Sequence, residues 1–314
     1  MKTYNGAGFF VDILGFTALT KGQIVDITKK DYEAWGVNSE EEHSYSYLAA
    51  TMLVEFRDAL LTLKNHLSLL HVAQISDCAF IWSDDVDCLL EGVHEFMWNA
   101  VGVKNILCRG GLAYGEIIEV ENVDYSLGAF VVGDAVTRAA KNESRLKGPR
   151  ISMDVEFPHD IWSHTKNSPY LEFLSNDLFY PNQSEINLDV VDEYRWYLLD
   201  PSFIKKPKCP PSYVDCVELT KKRLNLANIL RMHPRMGWNS RGKDGIIHLT
   251  AGEQAFSKNG LLHVLHLFET GHVQTDDMRS IGNVKRQNER VMNADYFSTN
   301  EGERWKKALG IEDN

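Results

Sequence analysis

Hydrophobic positions along the chain alternate between short unbroken runs and longer stretches spaced by three or four. Residues 8–12, GFFVD, form an apolar run that closes on a carboxylate, the pattern of a short buried strand. Residues 21–44 are polar without a period, which predicts an inserted loop with some local structure. Beyond them Leu48, Met52, Phe56, Leu60, Leu63 and Leu67 recur at helical spacing and predict one long amphipathic helix. LLHVAQISDCAFIWSDD reads as two short strands around a tight polar turn at Ser76 and Asp77. Leu89, Val93, Phe96, Met97 and Ala100 predict a second helix. NILCRGGLAYGEIIEV reads as a strand interrupted by Gly110 and Gly111, followed by VDYSLGAFVVG. GDAVTRAAKNESRLKG predicts a helix ending at Gly148. PRISMDVEF and EYRWYLLDP are expected to be later strands of the same sheet.

The pattern changes near residue 210, where KCPP reads as a linker. Residues 214–232 predict a helix bearing Lys221, Lys222, Arg223 and Arg231, and further helical segments are expected as far as Leu309. The chain therefore divides into residues 1–205, an α+β domain, and residues 206–314, a mostly helical extension whose role the pattern does not give.

Composition narrows the function classes. The 314 residues are 44% hydrophobic and 25% charged, which is ordinary globular usage. A net charge of −11 and a pI near 5.5 argue against nucleic acid binding, since phosphate contacts need basic patches. They do not exclude a nucleotide substrate, because a divalent ion can supply positive charge locally. No apolar run suffices to cross a bilayer, and the N-terminus lacks a signal-peptide pattern, so no membrane partner is expected. The five cysteines are odd in number and lack metal-like spacing, which predicts free thiols in a reducing cytoplasm. Nucleophile-elbow, zincin and P-loop motifs are missing. His263 and His266 share a helical face without a third ligand.

Two carboxylates carry the chemistry. Asp12 closes the first strand, and Asp77 stands in the hairpin turn. If those strands are neighbours, both carboxylates meet at one end of a sheet, where hard Mg²⁺ or Mn²⁺ would be held. Two such ions about 3.5–4 Å apart activate an attacking oxygen and stabilise a phosphoryl transition state. An isolated aspartate of either kind also serves as a turn or helix cap.

The surroundings of these residues resemble the class III nucleotide cyclases. VDILGFT resembles the family's first signature, which carries the first metal-binding aspartate, and QISDCAF resembles the second. LCRGGLAYGEI and GAFVVGDAVTRAAKNES resemble the third and fourth, all in the family's order. The resemblance implies a ferredoxin-like palm sheet with helices on one face. It assigns two Mn²⁺ or Mg²⁺ ions to Asp12, Asp77 and the Ile13 carbonyl. Residues 14–17 (Leu14, Gly15, Phe16 and Thr17), preceded by Phe10, would turn about the triphosphate, and Arg109 would bind it. Thr137 stands where the family has a ribose-orienting asparagine, and Lys141 where it has an arginine that stabilises the transition state. A head-to-tail homodimer with composite sites is implied.

The positions at which the family reads a purine base are occupied by Ala73 and Phe130. Neither makes polar contacts, and the phenyl ring takes up volume, so a pyrimidine fits. This resembles the Pycsar-type cyclases of bacterial anti-phage defence, which make cyclic UMP or cyclic CMP for a downstream cyclic-nucleotide-binding effector. UTP is favoured over CTP. The replacements Thr137 and Lys141 leave open a catalytically silent nucleotide-binding module.

Overall fold

In a computed structural model the described residues are 1–120, 130–162, 179–183, 190–204 and 212–258. Among them eight strands form one sheet: β1 (Lys2–Ile13), β2 (His71–Ile75), β3 (Cys78–Ser83), β4 (Cys108–Glu119), β5 (Val131–Val132), β6 (Ile151–Met153), β7 (Phe179–Gln183) and β8 (Val190–Tyr194). Their order is β2-β3-β1-β4-β6-β8-β7, with β5 paired to β4, and all described pairings are antiparallel except β4 with β6. The helices are α1 (Phe16–Thr20), α2 (Lys29–Ala34), α3 (Tyr45–His66), α4 (Val86–Met97), α5 (Asp134–Glu143), α6 (Phe157–Trp162), α7 (Pro201–Ile204), α8 (Tyr213–Met232) and α9 (Lys243–Lys258). The order β2-β3-β1-β4, with α3 linking β1 to β2 and α4 linking β3 to β4, is the ferredoxin-like arrangement. The fold is α+β with a helical C-terminal region.

Side chains alternate across β1 and build two layers. Phe9, Val11 and Ile13 enter the main core with Met52, Phe56 and Leu60 of α3 and Leu89, Val93 and Phe96 of α4. The Phe96 ring meets Phe9 and Phe56 edge-on, at centroid distances of 6.4 and 5.8 Å. On the opposite face Phe80, Trp82, Ala113 and Ile117 pack with Ala135 and Ala139 of α5, and Phe10 and Ala73 border that cluster.

The adjacent glycines Gly110 and Gly111 do not interrupt β4. One serves each face. A Cβ at Gly110 would lie 2.2 Å from the Phe9 ring, and one at Gly111 would lie 2.2 Å from the Ala139 carbonyl oxygen. The strand runs through unbroken because both neighbours need that space.

Three further expectations are corrected. Helix α5 stops at Glu143 rather than Gly148, because the Asn142 carbonyl accepts from the Arg145 amide at 3.0 Å and from the Ser152 hydroxyl. Gly148 lies beyond it in a left-handed turn, φ +83°, against the backbone of α9. PRISMDVEF is a strand only over β6, since the chain enters α6 at Phe157. EYRWYLLDP leaves the sheet after Tyr194 into a 3-10 turn, Trp196–Leu198, and the Trp196 ring packs edge-on against Trp98 and Phe256.

The expected helix over residues 214–232 is present as α8. Leu226 and Leu230 of α8 and Phe256 of α9 belong to the same core as Phe9, so the C-terminal region shares the interior of the sheet domain. The KCPP stretch, Cys209, His263, His266 and the segments towards Leu309 lie outside the described residues. Cys78, Cys88, Cys108 and Cys216 are free thiols. Among the described residues no helix is long and apolar enough to cross a membrane.

Candidate active site

Strand β1 carries Asp12 to the end of the sheet, in register with Cys78 of β3 and Arg109 of β4. Asp77 occupies the turn between β2 and β3, next to Ser76 in a left-handed conformation with φ 56°. The turn is clipped to β1 by the Ile13 amide, which donates to the Asp77 carbonyl at 3.0 Å. Two aspartates distant in sequence therefore share one corner of the sheet. The chain then leaves β1: the Leu14 amide donates to the Leu107 carbonyl at 2.8 Å, Gly15 turns left-handed at φ +81°, and α1 begins. The first amides of a helix have no acceptor within it, so the amides of residues 16–18 have no partner within α1.

Charge in this corner is unbalanced towards the negative. Burial, then Glu143, then Asp77 push the Asp12 pKa up to about 7, while Arg109 pulls it down. Arg109 does not stand free for a ligand. Its Nε donates to Glu143 Oε1 at 2.5 Å, and its Nη1 donates to the Leu146 carbonyl at 3.4 Å. Glu143 is thus a site residue that the sequence reading missed; only the fold lays the end of α5 over Arg109. Burial and the neighbouring carboxylates raise the Cys78 thiol to about 11, which leaves it unreactive at neutral pH.

Among the described residues no group of three or more His, Cys, Asp or Glu is arranged to hold a metal. The candidate donors expected from the sequence are fewer: the Asp12 and Asp77 carboxylates and the Ile13 carbonyl. These hard oxygen donors fit Mg²⁺ or Mn²⁺. Burial first, and the neighbouring Glu143 and Asp77 second, raise the proton affinity of Asp12, and a bound cation would favour its charged form.

Thr137 and Lys141 lie one turn apart on the exposed side of α5, whose buried face bears Ala135, Ala139, Asn142 and Glu143. The Thr137 hydroxyl donates back to the Gly133 carbonyl at 3.2 Å. Within one chain the structure sets these two residues on the far side of α5 from the sheet that bears Asp12.

Of the two expected base-reading positions, Ala73 borders the apolar cluster of Phe80 and Trp82, whereas at Phe130 it is the next residue, Val131, that does so. Ala73 sits in the cross-strand row Ala73, Phe80, Phe10, Gly111. Phe130, 56% exposed, precedes β5, which pairs with Ile118 and Glu119 of β4. Between Ala73 and Phe10 stands Phe80, which the sequence reading missed. Its ring lies over Gly8, where a Cβ would approach it to 2.6 Å, and it stacks on Trp82 at 5.5 Å. The apolar run AFIW gave no local signal for Phe80, because its place beside Ala73 and Phe10 follows only from strand register.

No family model matches the chain, and no curated protein matches it. Similar solved structures include the non-canonical dimeric guanylyl cyclase domain of a fusion protein from the aquatic fungus Blastocladiella emersonii, at 17% identity and a TM-score of 0.40, covering 61% of this chain and 94% of that one. A bacterial light-regulated adenylyl cyclase is similar at 15% identity and a TM-score of 0.41, covering 62% and 92%. An adenylyl cyclase from P. aeruginosa is similar at 13% identity and a TM-score of 0.37, covering 62% and 95%.

Proposed function

We propose that this chain is a nucleotide cyclase that converts UTP into 3′,5′-cyclic UMP and pyrophosphate. The observation that carries the reading is the Asp12–Asp77 corner: two carboxylates, clipped together through Ile13 and followed at once by the left-handed Gly15 loop. Two divalent ions, Mn²⁺ or Mg²⁺, held by Asp12, Asp77 and the Ile13 carbonyl would supply charge neutralisation and acidify the ribose 3′-hydroxyl. In the reaction the 3′ oxygen attacks the α-phosphorus of the same nucleotide, the bond to the β-phosphate oxygen breaks, and pyrophosphate departs. The amides of residues 16–18 bind triphosphate oxygens. Arg109, fixed by Glu143, offsets the charge on Asp12 and orients the corner.

Thr137 and Lys141 act on a nucleotide held by a second copy of the chain. Their exposure on α5, away from the sheet of their own chain, supports a two-fold homodimer with two composite sites. In that arrangement Lys141 stabilises charge on the α-phosphate and Thr137 orients the ribose. A pyrimidine is favoured because Ala73, Phe80 and Phe10 present an apolar row with no donor or acceptor for a purine edge. CTP is the second candidate, since no residue here reads the edge that separates cytosine from uracil. The product would be a second messenger for anti-phage defence, sensed by a cyclic-nucleotide-binding effector.

The test is incubation of the purified protein with Mn²⁺ and an equal mixture of UTP, CTP, ATP and GTP, followed by identification of the cyclic product. Cyclic UMP with stoichiometric pyrophosphate is expected. Cyclic AMP or cyclic GMP as the main product would overturn the pyrimidine assignment. No product from any triphosphate would leave a silent nucleotide-binding module.

A further inference from the structure

We propose that Asn239 is a positioning residue for the nucleotide loop, acting from the C-terminal region through the carbonyl of Leu14; this rests on the cyclase reading above. The peptide joining Leu14 to Gly15 sets the direction in which the following amides emerge. Asn239 Nδ2 donates to the carbonyl oxygen of that peptide at 3.3 Å. Asn239 is 2% exposed and Trp238 is 1% exposed, so both are fully part of the interior behind the loop. A Cβ on Gly15 would lie 3.2 Å from Asn239 Nδ2 and 3.3 Å from the Trp238 ring. The loop therefore rests against the pair, and its left-handed turn has no room to relax backwards.

Asn239 is itself held. Gly245 of α9 passes so close that a Cβ there would lie 1.9 Å from the Asn239 carbonyl oxygen. Arg235 donates from Nη1 to the Lys104 carbonyl at 2.9 Å and from Nε to the Ala34 carbonyl at 3.0 Å. Its guanidinium lies 4.7 Å over the Trp35 ring, and the Trp35 indole donates to the Arg235 carbonyl at 3.1 Å. Arg241 pairs with Asp31 at 3.0 Å. Residues 29–35 of the polar insert, the turn before β4 and residues 235–241 thus form one bracket around the loop. The paired carboxylates need neither the insert nor the extension, and the bracket gives both a task. A buried amide costs free energy unless it is hydrogen-bonded, and here it is committed to a main-chain carbonyl at the site.

The experiment uses full-length Asn239→Leu and Asn239→Ser. Kinetics with UTP and Mn²⁺ are read beside calorimetric binding of inorganic tripolyphosphate with Mn²⁺, and beside thermal unfolding. Asn239→Leu, similar in size but without a donor, is expected to raise KM and weaken tripolyphosphate binding, each roughly tenfold, the scale of one lost hydrogen bond to a buried carbonyl. Asn239→Ser keeps a donor and should fall between. A merely structural asparagine would lower Tm and the yield of active protein while leaving KM and tripolyphosphate affinity unchanged, and that result overturns the proposal. If the leucine variant fails to fold, the serine variant is read by the same criterion. Wild type that makes no cyclic nucleotide and binds no tripolyphosphate overturns the cyclase reading and this proposal together. Active wild type beside unchanged Asn239 variants overturns this proposal alone.

Discussion

Asp12 carries opposing demands. Its carboxylate is half-buried among Glu143 and Asp77, and its pKa of about 7 lies well above the ordinary value of 3.8. Between those two values the folded chain holds a proton that the unfolded chain has lost, so this group makes stability fall as pH rises from about 4 through about 7. Asp12→Asn should therefore raise Tm, by more at pH 8 than at pH 5, and should abolish turnover with Mn²⁺. Differential scanning calorimetry at both pH values, beside a pyrophosphate-release assay, checks the pair. A lower Tm at pH 8 would show that the carboxylate is not under strain. Asp77→Ala should abolish turnover for the same loss of an oxygen donor.

At the scale of elements, the site depends on how closely α5 lies on β4. Gly111→Ala would put a methyl group 2.4 Å from the Glu143 amide nitrogen and 2.2 Å from the Ala139 carbonyl oxygen. The helix must lift, at a cost of about 1–3 kcal/mol for overpacking. Since Glu143 carries Arg109, activity should fall beyond what the stability loss explains; urea unfolding and specific activity at saturating UTP measure both. A second junction sets the acid limit. His94 of α4 is buried against the Leu199 carbonyl at 2.6 Å and the Tyr194 hydroxyl at 3.3 Å, and burial pulls its pKa down to about 4. The folded state keeps it neutral where the unfolded chain is protonated. Stability from this group is present above pH 6.5 and is lost as pH falls towards 4, by about 3 kcal/mol in all. His94→Gln should flatten that acid limb in urea titrations between pH 7 and pH 4.

For the whole molecule the decisive question is whether two chains build one site. Asp12→Ala and Lys141→Ala homodimers should each be inactive. A mixed dimer holds one site with both residues intact and one with neither. Random assembly makes about half the dimers mixed, so co-expression should restore roughly a quarter of wild-type activity by two-fold symmetry. A mixed dimer isolated through two affinity tags that stays inactive would sink the composite site or the role of Lys141.

Local pattern was enough to place the main pieces. The apolar run into Asp12, the helical spacing from Leu48 to Leu67 and the polar turn at Asp77 are local patterns, and their secondary structures follow from side-chain periodicity. The sequence marked both carboxylates through the segments around them, VDILGFT and QISDCAF, whose resemblance to the cyclase signatures lifts two aspartates that alone would pass for turn or helix caps. What tertiary structure alone decided are the contacts between residues distant along the chain. Glu143 meets Arg109 only once α5 crosses β4, and Phe80 joins Ala73 and Phe10 only through strand register. Gly110 and Gly111 looked like a break, yet they are the places where two layers press on one strand. Asn239 reaches Leu14 because α8 and α9 share the core of the sheet domain. Periodicity reports which face of an element is apolar; it carries no record of which distant backbone that face will touch.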